Sequence, residues 1–148
     1  MKTIHYFFIL STALFNLMLA PMAAAADKAG TDQIKVVYQI NDASRASMLL
    51  RNVENQLAET PDTKIAVVGY GTGINFMLKN AQDANGNPYN VIMETLAQQG
   101  VDFKVCNNTL KSRKLTAADV AYPATIVPSG VVEIVRLQAK EGYVYIKP

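Results

Sequence analysis

Apolar and polar positions along this chain switch between a period of two and a period near 3.6, and the switches mark out its elements. Ile34-Lys35-Val36-Val37-Tyr38-Gln39-Ile40 is rich in β-branched and aromatic residues and predicts a strand. Asn41-Asp42 then offers a helix cap, and Ala46, Leu49, Leu50, Val53 and Leu57 recur at helical spacing until Pro61-Asp62. Lys64 to Tyr70 is a second strand, apolar through its centre as in strands covered on both faces. Gly71-Thr72-Gly73 makes a turn into a short helix from Ile74 to Leu78. Asn85-Gly86 signals a loop between Asp83 and Pro88, and Tyr89 to Gln99 reads as a helix closed by Gly100. Val101 to Val105 is a third strand, ending at Cys106. Asn107-Asn108-Thr109 predicts a turn feeding a short helix over Leu110 to Arg113, with a further cap at Thr116 to Asp119. A fourth strand over Ala124 to Val127 leads through Pro128-Ser129-Gly130 into a helix that Gly142 ends, and Tyr143 to Ile146 is a last strand.

Strands that alternate with helices in this way predict an α/β fold: a three-layer α/β/α arrangement around a mostly parallel five-stranded sheet. In such sheets ligands and reactive groups lie beyond the carboxyl ends of the strands. Cys106, Gly71 and Asn41 each follow a predicted strand end, so they are expected on one rim.

The N-terminus does not fit this alternation. Lys2 precedes an apolar stretch from Tyr6 to Ala20, Pro21 follows, and Ala23-Ala24-Ala25-Ala26 supplies small residues for cleavage before Asp27. The stretch is about 15 residues long, short of the roughly 20 that cross a bilayer. Residues 1–26 therefore read as a cleaved Sec-type signal peptide, with residues 27–148 as a single domain that is periplasmic or secreted. Without Lys2, 13 basic residues of the chain's 14 face 12 acidic ones. That near-neutral balance gives no case for nucleic-acid binding, nor for a membrane partner once the leader is gone. The one histidine, His5, leaves with the leader. A mature chain without imidazole has no Ser-His-Asp or Cys-His nucleophile pair, no histidine zinc site and no histidine pH switch. Its carboxylates are scattered singly, and neither a metal nor a cofactor is expected.

Cys106 is the single cysteine. A thiol becomes a nucleophile when it ionises, and a helix N-terminus lowers its pKa from about 8.5 to between roughly 3.5 and 7.5. Cys106 ends a strand and precedes a helix start at Asn107 to Thr109, so backbone N–H groups there are expected to favour thiolate. Export would carry this unpaired thiol into an oxidising space, where it must be buried, pair between chains, or react. With no histidine to act as its base, Cys106 is not expected to serve a hydrolase. Attack on a sulfane sulfur, with later hand-over to another thiol, needs only the sulfur itself. Gly69-Tyr70-Gly71-Thr72-Gly73 is the second candidate, because glycines after a strand let amides cradle an anion. Ile74 stands where the third glycine of G-x-G-x-x-G belongs, and no Walker lysine follows, so a tight turn is the plainer reading. Tyr143 and Tyr145 alternate along the last strand and read as edge or interface packing.

Three segments carry a resemblance to a known family: Val101 to Lys111 (VDFKVCNNTLK), Val67 to Ile74 (VVGYGTGI) and, most specifically, Ile126 to Pro148. Together they make residues 33 to 148 similar to the exported branch of the DsrE/DsrF-like proteins. The resemblance implies a YchN-like domain with a parallel five-stranded sheet, commonly assembled into trimers or hexamers. In the sulfur-relay members a cysteine on this loop carries persulfide sulfur between partner proteins, and Cys106 matches that position. Asn107, Asn108 and Thr109 match the segment after it, and Gly71 and Gly73 match the glycine turn. Relatives often carry histidine before that turn, where this chain has Tyr70.

Two readings follow. In the first, the chain is a sulfur carrier or sulfurtransferase, with Cys106 accepting persulfide sulfur, supported by Asn107, Asn108, Thr109, Gly71, Gly73, Tyr70 and Asn41. It would exchange sulfur with a thiol or persulfide partner protein. In the alternative, it is a non-catalytic oligomeric binding module whose cysteine is packed.

Overall fold

The structure is a computed structural model that describes residues 33–148; the predicted signal peptide lies outside the described residues. The β-branched runs form strands β1 (Lys35–Ile40), β2 (Lys64–Gly69), β3 (Asp102–Cys106), β4 (Thr125–Val127) and β5 (Val144–Ile146). The amphipathic runs form helices α1 (Ala46–Glu59), α2 (Tyr89–Gln98), α3 (Asn107–Ser112) and α4 (Gly130–Glu141). Every strand pairing is parallel, in the order β4-β3-β2-β1-β5, so the predicted fold class is the observed one.

That order decides which face each helix covers. Three successive steps from β1 to β4 run in one direction, and the step from β4 to β5 runs back across the sheet. Among the described residues, crossovers of one hand therefore put α1, α2 and α3 on one face and α4 on the other. Packing agrees. Val36, Tyr38, Ile65, Val67, Phe103 and Val105 point into the core under the first three helices. Val37, Ala66 and Val68 meet Ile134 and Leu137 of α4. Period-two alternation sorts these side chains to their faces. A fully buried side chain such as Leu49 or Phe103 contributes about 1.5–3 kcal/mol of apolar burial.

The helix ends follow the sequence signals closely. The Asp42 carboxylate accepts from the Ser44 N–H at 2.9 Å, opening a 3₁₀ turn that runs into α1. Thr116 and Asp119 form a reciprocal capping box. Gly142, at φ 74°, ends α4 in the left-handed region that glycine enters without a Cβ penalty.

One local reading needs correction. Asn107-Asn108-Thr109 is not a turn leading to a helix; these residues are already the first turn of α3, and Cys106 is its cap. The polar run resembles a turn by composition. The chain needs no turn there because Cys106, at φ −70° and ψ 116°, passes from strand to helix in a single residue. The segment after β2 is likewise a 3₁₀ helix throughout, from Gly71 to Met77.

Candidate functional site

Cys106 is the last residue of β3 and pairs in register with Val127 of β4. Alternation along β3 puts its side chain with Lys104 on the α4 face of the sheet. The thiol is 5% exposed. Above it starts α4. A Cβ built on Gly130 would stand 3.2 Å from the Cys106 Cβ, 3.4 Å from the Gly69 carbonyl oxygen and 3.4 Å from the Tyr70 Cβ. A glycine at this first helical position lets the helix backbone close on the cysteine.

The glycine segment forms the other wall. Gly71 adopts φ 57°, and its N–H donates to the Thr109 hydroxyl oxygen at 3.0 Å. This bond uses a lone pair of the hydroxyl and leaves its proton free to point at the sulfur. Gly73 sits against the end of β1. A Cβ there would overlap the Ile40 carbonyl and come within 2.8 Å of the Asn41 Cα. The Thr72 hydroxyl donates to the Asn41 carbonyl at 3.0 Å, and the Tyr70 N–H donates to the Ile40 carbonyl at 3.1 Å. The segments that follow the carboxyl ends of β1, β2 and β3 are thereby joined through backbone groups and the hydroxyls of Thr72 and Thr109.

Two opposing influences act on the thiol. Burial pushes its pKa up. The Gly130 N–H, the Thr109 hydroxyl and the N–H groups of Thr109 and Asn108 pull it down, and together they prevail, so it lies below the usual thiol value. Helix α3 contributes its first-turn amides and α4 contributes Gly130. The arrangement can stabilise negative charge on sulfur without a histidine.

The sequence-predicted residues are not equally close to this chemistry. Cys106, Thr109, Gly71 and Gly73 belong to one connected structure. Tyr70 flanks it beneath Gly130. Asn108 takes part through its backbone, while its side chain is exposed, and Asn107 is half-buried at the helix start. Asn41 is on the expected rim but joins through its carbonyl oxygen; it lines a separate cavity of about 260 Å³ with Gln39, Arg45 and Lys147. A larger groove of about 680 Å³ between α1 and α2, lined by Ser47, Arg51, Glu54 and Tyr89, lies in the opposite layer from the thiol. Gly130 was absent from the sequence-derived site. Glycine is a poor helix former, and its presence as the first residue of a helix was the available signal of a close approach.

The chain is similar to known proteins in sequence and in fold. The family model described as DsrE/DsrF-like matches residues 12–148. A solved structure of a protein of unknown function, MTH1491 from Methanobacterium thermoautotrophicum, is 35% identical with a TM-score of 0.69, covering 78% of this chain and all (100%) of that one. The YchN protein of E. coli superposes with a TM-score of 0.62 at 13% identity, covering 78% of this chain and 99% of that one, a likeness of fold alone. No match was found among curated proteins.

Proposed function

The chain belongs to the DsrE/DsrF-like family, and on that premise we propose that it is an exported sulfur carrier or sulfurtransferase whose Cys106 accepts persulfide sulfur. The observation that carries this reading is the convergence on Cys106 of the start of α3, which it caps, and of Gly130 at the start of α4, with Thr109 held by the Gly71 N–H; the donors these bring lower the thiol pKa. Their effect is to favour thiolate, the form that attacks sulfur. In the first step the Cys106 thiolate attacks the outer sulfur of a persulfide R–S–SH. A new S–S bond forms at Cys106, the S–S bond of the donor persulfide breaks, and its electron pair leaves with R–S⁻. In the second step an acceptor thiolate takes the outer sulfur and Cys106 departs as thiolate. Neither step needs an oxidant or reductant. A thiol of lowered pKa is also the better leaving group, so one set of donors assists hand-over as well.

Intact-mass measurement tests the proposal. After exposure to a low-molecular-weight persulfide, the wild type is expected to gain about 32 Da, one sulfur atom, and Cys106→Ser to gain nothing. No gain on the wild type, or an equal gain on the variant, overturns it. Chain recovered from its producing cell is expected to lack residues 1–26, which reads export in the same spectrum; an intact N-terminus refutes export.

A partner surface belongs to this proposal. Val131, Val132 and Val135 stand 55–64% exposed on α4, the one helix among the described residues on its face of the sheet, and Val144 and Tyr145 extend the apolar area along the edge strand β5. Such a patch fits self-association into a trimer or hexamer. Val132→Lys is expected to shift the species seen by light scattering to monomer. A wild type that is already monomeric contradicts the assembly.

The 5% exposure of Cys106 favours a second reading, a binding module with a packed cysteine. On that reading the thiol resists alkylation until the chain unfolds.

A further inference from the structure

Helix α4 is fixed at two levels. One turn into the helix, Ile134 and Leu137 pack on Val37, Ala66 and Val68 of β1 and β2. Its first turn has a different attachment. Glu133, whose N–H closes the first helical bond to the Ser129 carbonyl at 2.9 Å, is 9% exposed. Its carboxylate faces Lys104 of β3, with Nζ 3.5 Å from Oε1. Arg136 grips the same carboxylate from α4 itself, with Nε and Nη2 each at 2.8 Å, and also pairs with Glu141.

Lys104 lies two residues before Cys106 on the same face of the same strand. Gly130 lies three residues before Glu133, one turn earlier on α4. The ion pair therefore ties the same two elements that meet at the thiol. We propose that Lys104 and Glu133 are positioning residues: their pair fastens the opening turn of α4 to β3 and holds the Gly130 N–H against the Cys106 sulfur. This deepens the sulfur-carrier reading and rests on it for biological meaning, though the positioning itself is read from the thiol alone.

The titratable and charged groups on the elements around Cys106 include Asp102 and Lys104 on β3, Tyr70 after β2, Lys111 on α3, and Glu133 with Arg136 on α4. A purely Coulombic role for Glu133 has the opposite sign to a positioning role. Removing a nearby negative charge stabilises a thiolate. Loosening α4 removes a donor and destabilises it. Glu133→Gln separates the two.

The measurement is the alkylation rate of the folded protein as a function of pH, with circular dichroism to establish that each variant is folded. Glu133→Gln is expected to move the profile to higher pH, with a fall of roughly three- to tenfold in rate on its acid side. Lys104→Arg, which keeps the pair, is expected to retain the wild-type profile, and Arg136→Ala, which leaves Lys104 facing Glu133, to leave it in place. A Glu133→Gln profile that is unmoved or shifted to lower pH overturns the proposal, as does an equal upward shift in Arg136→Ala. If Glu133→Gln does not fold, Lys104→Gln replaces it, and a folded Lys104→Gln with an unmoved profile is again a refutation. A wild type that takes up no sulfur while its thiol responds to Glu133→Gln sinks the carrier reading and leaves the positioning intact; sulfur uptake with an indifferent profile does the reverse.

Discussion

Gly73→Ala is expected to lower the stability of the protein by about 3 kcal/mol, near the upper end of the usual cost of overpacking. The added methyl has no flexible side chain to displace. It meets the Ile40 carbonyl and the Asn41 Cα, which are backbone at the end of a central strand. Either the 3₁₀ segment from Gly71 to Met77 retreats or the end of β1 bends. For a chain of this size the loss corresponds to roughly 10 °C or more in thermal midpoint, read by calorimetry. Retreat would also draw the Gly71 N–H away from Thr109 and raise the thiol pKa. An unchanged midpoint would mean that the close approach does not exist.

Thr109→Val is expected to have the largest effect on the thiol among substitutions that leave the sulfur in place. The valine has nearly the same shape but neither accepts from the Gly71 N–H nor donates to Cys106. Losing the acceptor leaves a partly buried N–H unpaired, at a cost of about 1–3 kcal/mol. Losing the donor removes one of the influences that hold the thiol below its usual value, so the alkylation profile moves towards that of the unfolded chain. Thr109→Ser restores both bonds and is expected to restore the profile. A Thr109→Val protein with the wild-type profile would assign the lowering to the backbone amides alone.

Much of this architecture was legible because it is local. Val36 to Ile40 and Ile65 to Val68 declare buried strands by composition, and Leu49, Leu50, Val53 and Leu57 declare one helix face by spacing. The expectation that Cys106, Gly71 and Asn41 share a rim follows from parallel strands alone, since all of them then end on one side. The parts that were not legible depend on contacts between distant positions. Gly130 meets Cys106 because β4 pairs with β3 and α4 then folds back over the opposite face, and no periodicity within either segment encodes that pairing. The Lys104–Glu133 pair is hidden for the same reason. The start of α3 reads as a turn from composition because asparagine serves turns and helix beginnings alike. Asn41 shows the reverse: its position was foreseen, but its role is played by a carbonyl oxygen that any residue would supply.

The sulfur-carrier proposal requires that Cys106, a thiol of lowered pKa, also be reachable in the folded chain. The rate of alkylation of the folded wild type across pH, set against the same chain in denaturant, tests it most directly. The account predicts a folded chain that reacts, with its midpoint at lower pH than the unfolded chain. A midpoint equal to or above the unfolded one, or a thiol that reacts only after unfolding, would contradict it.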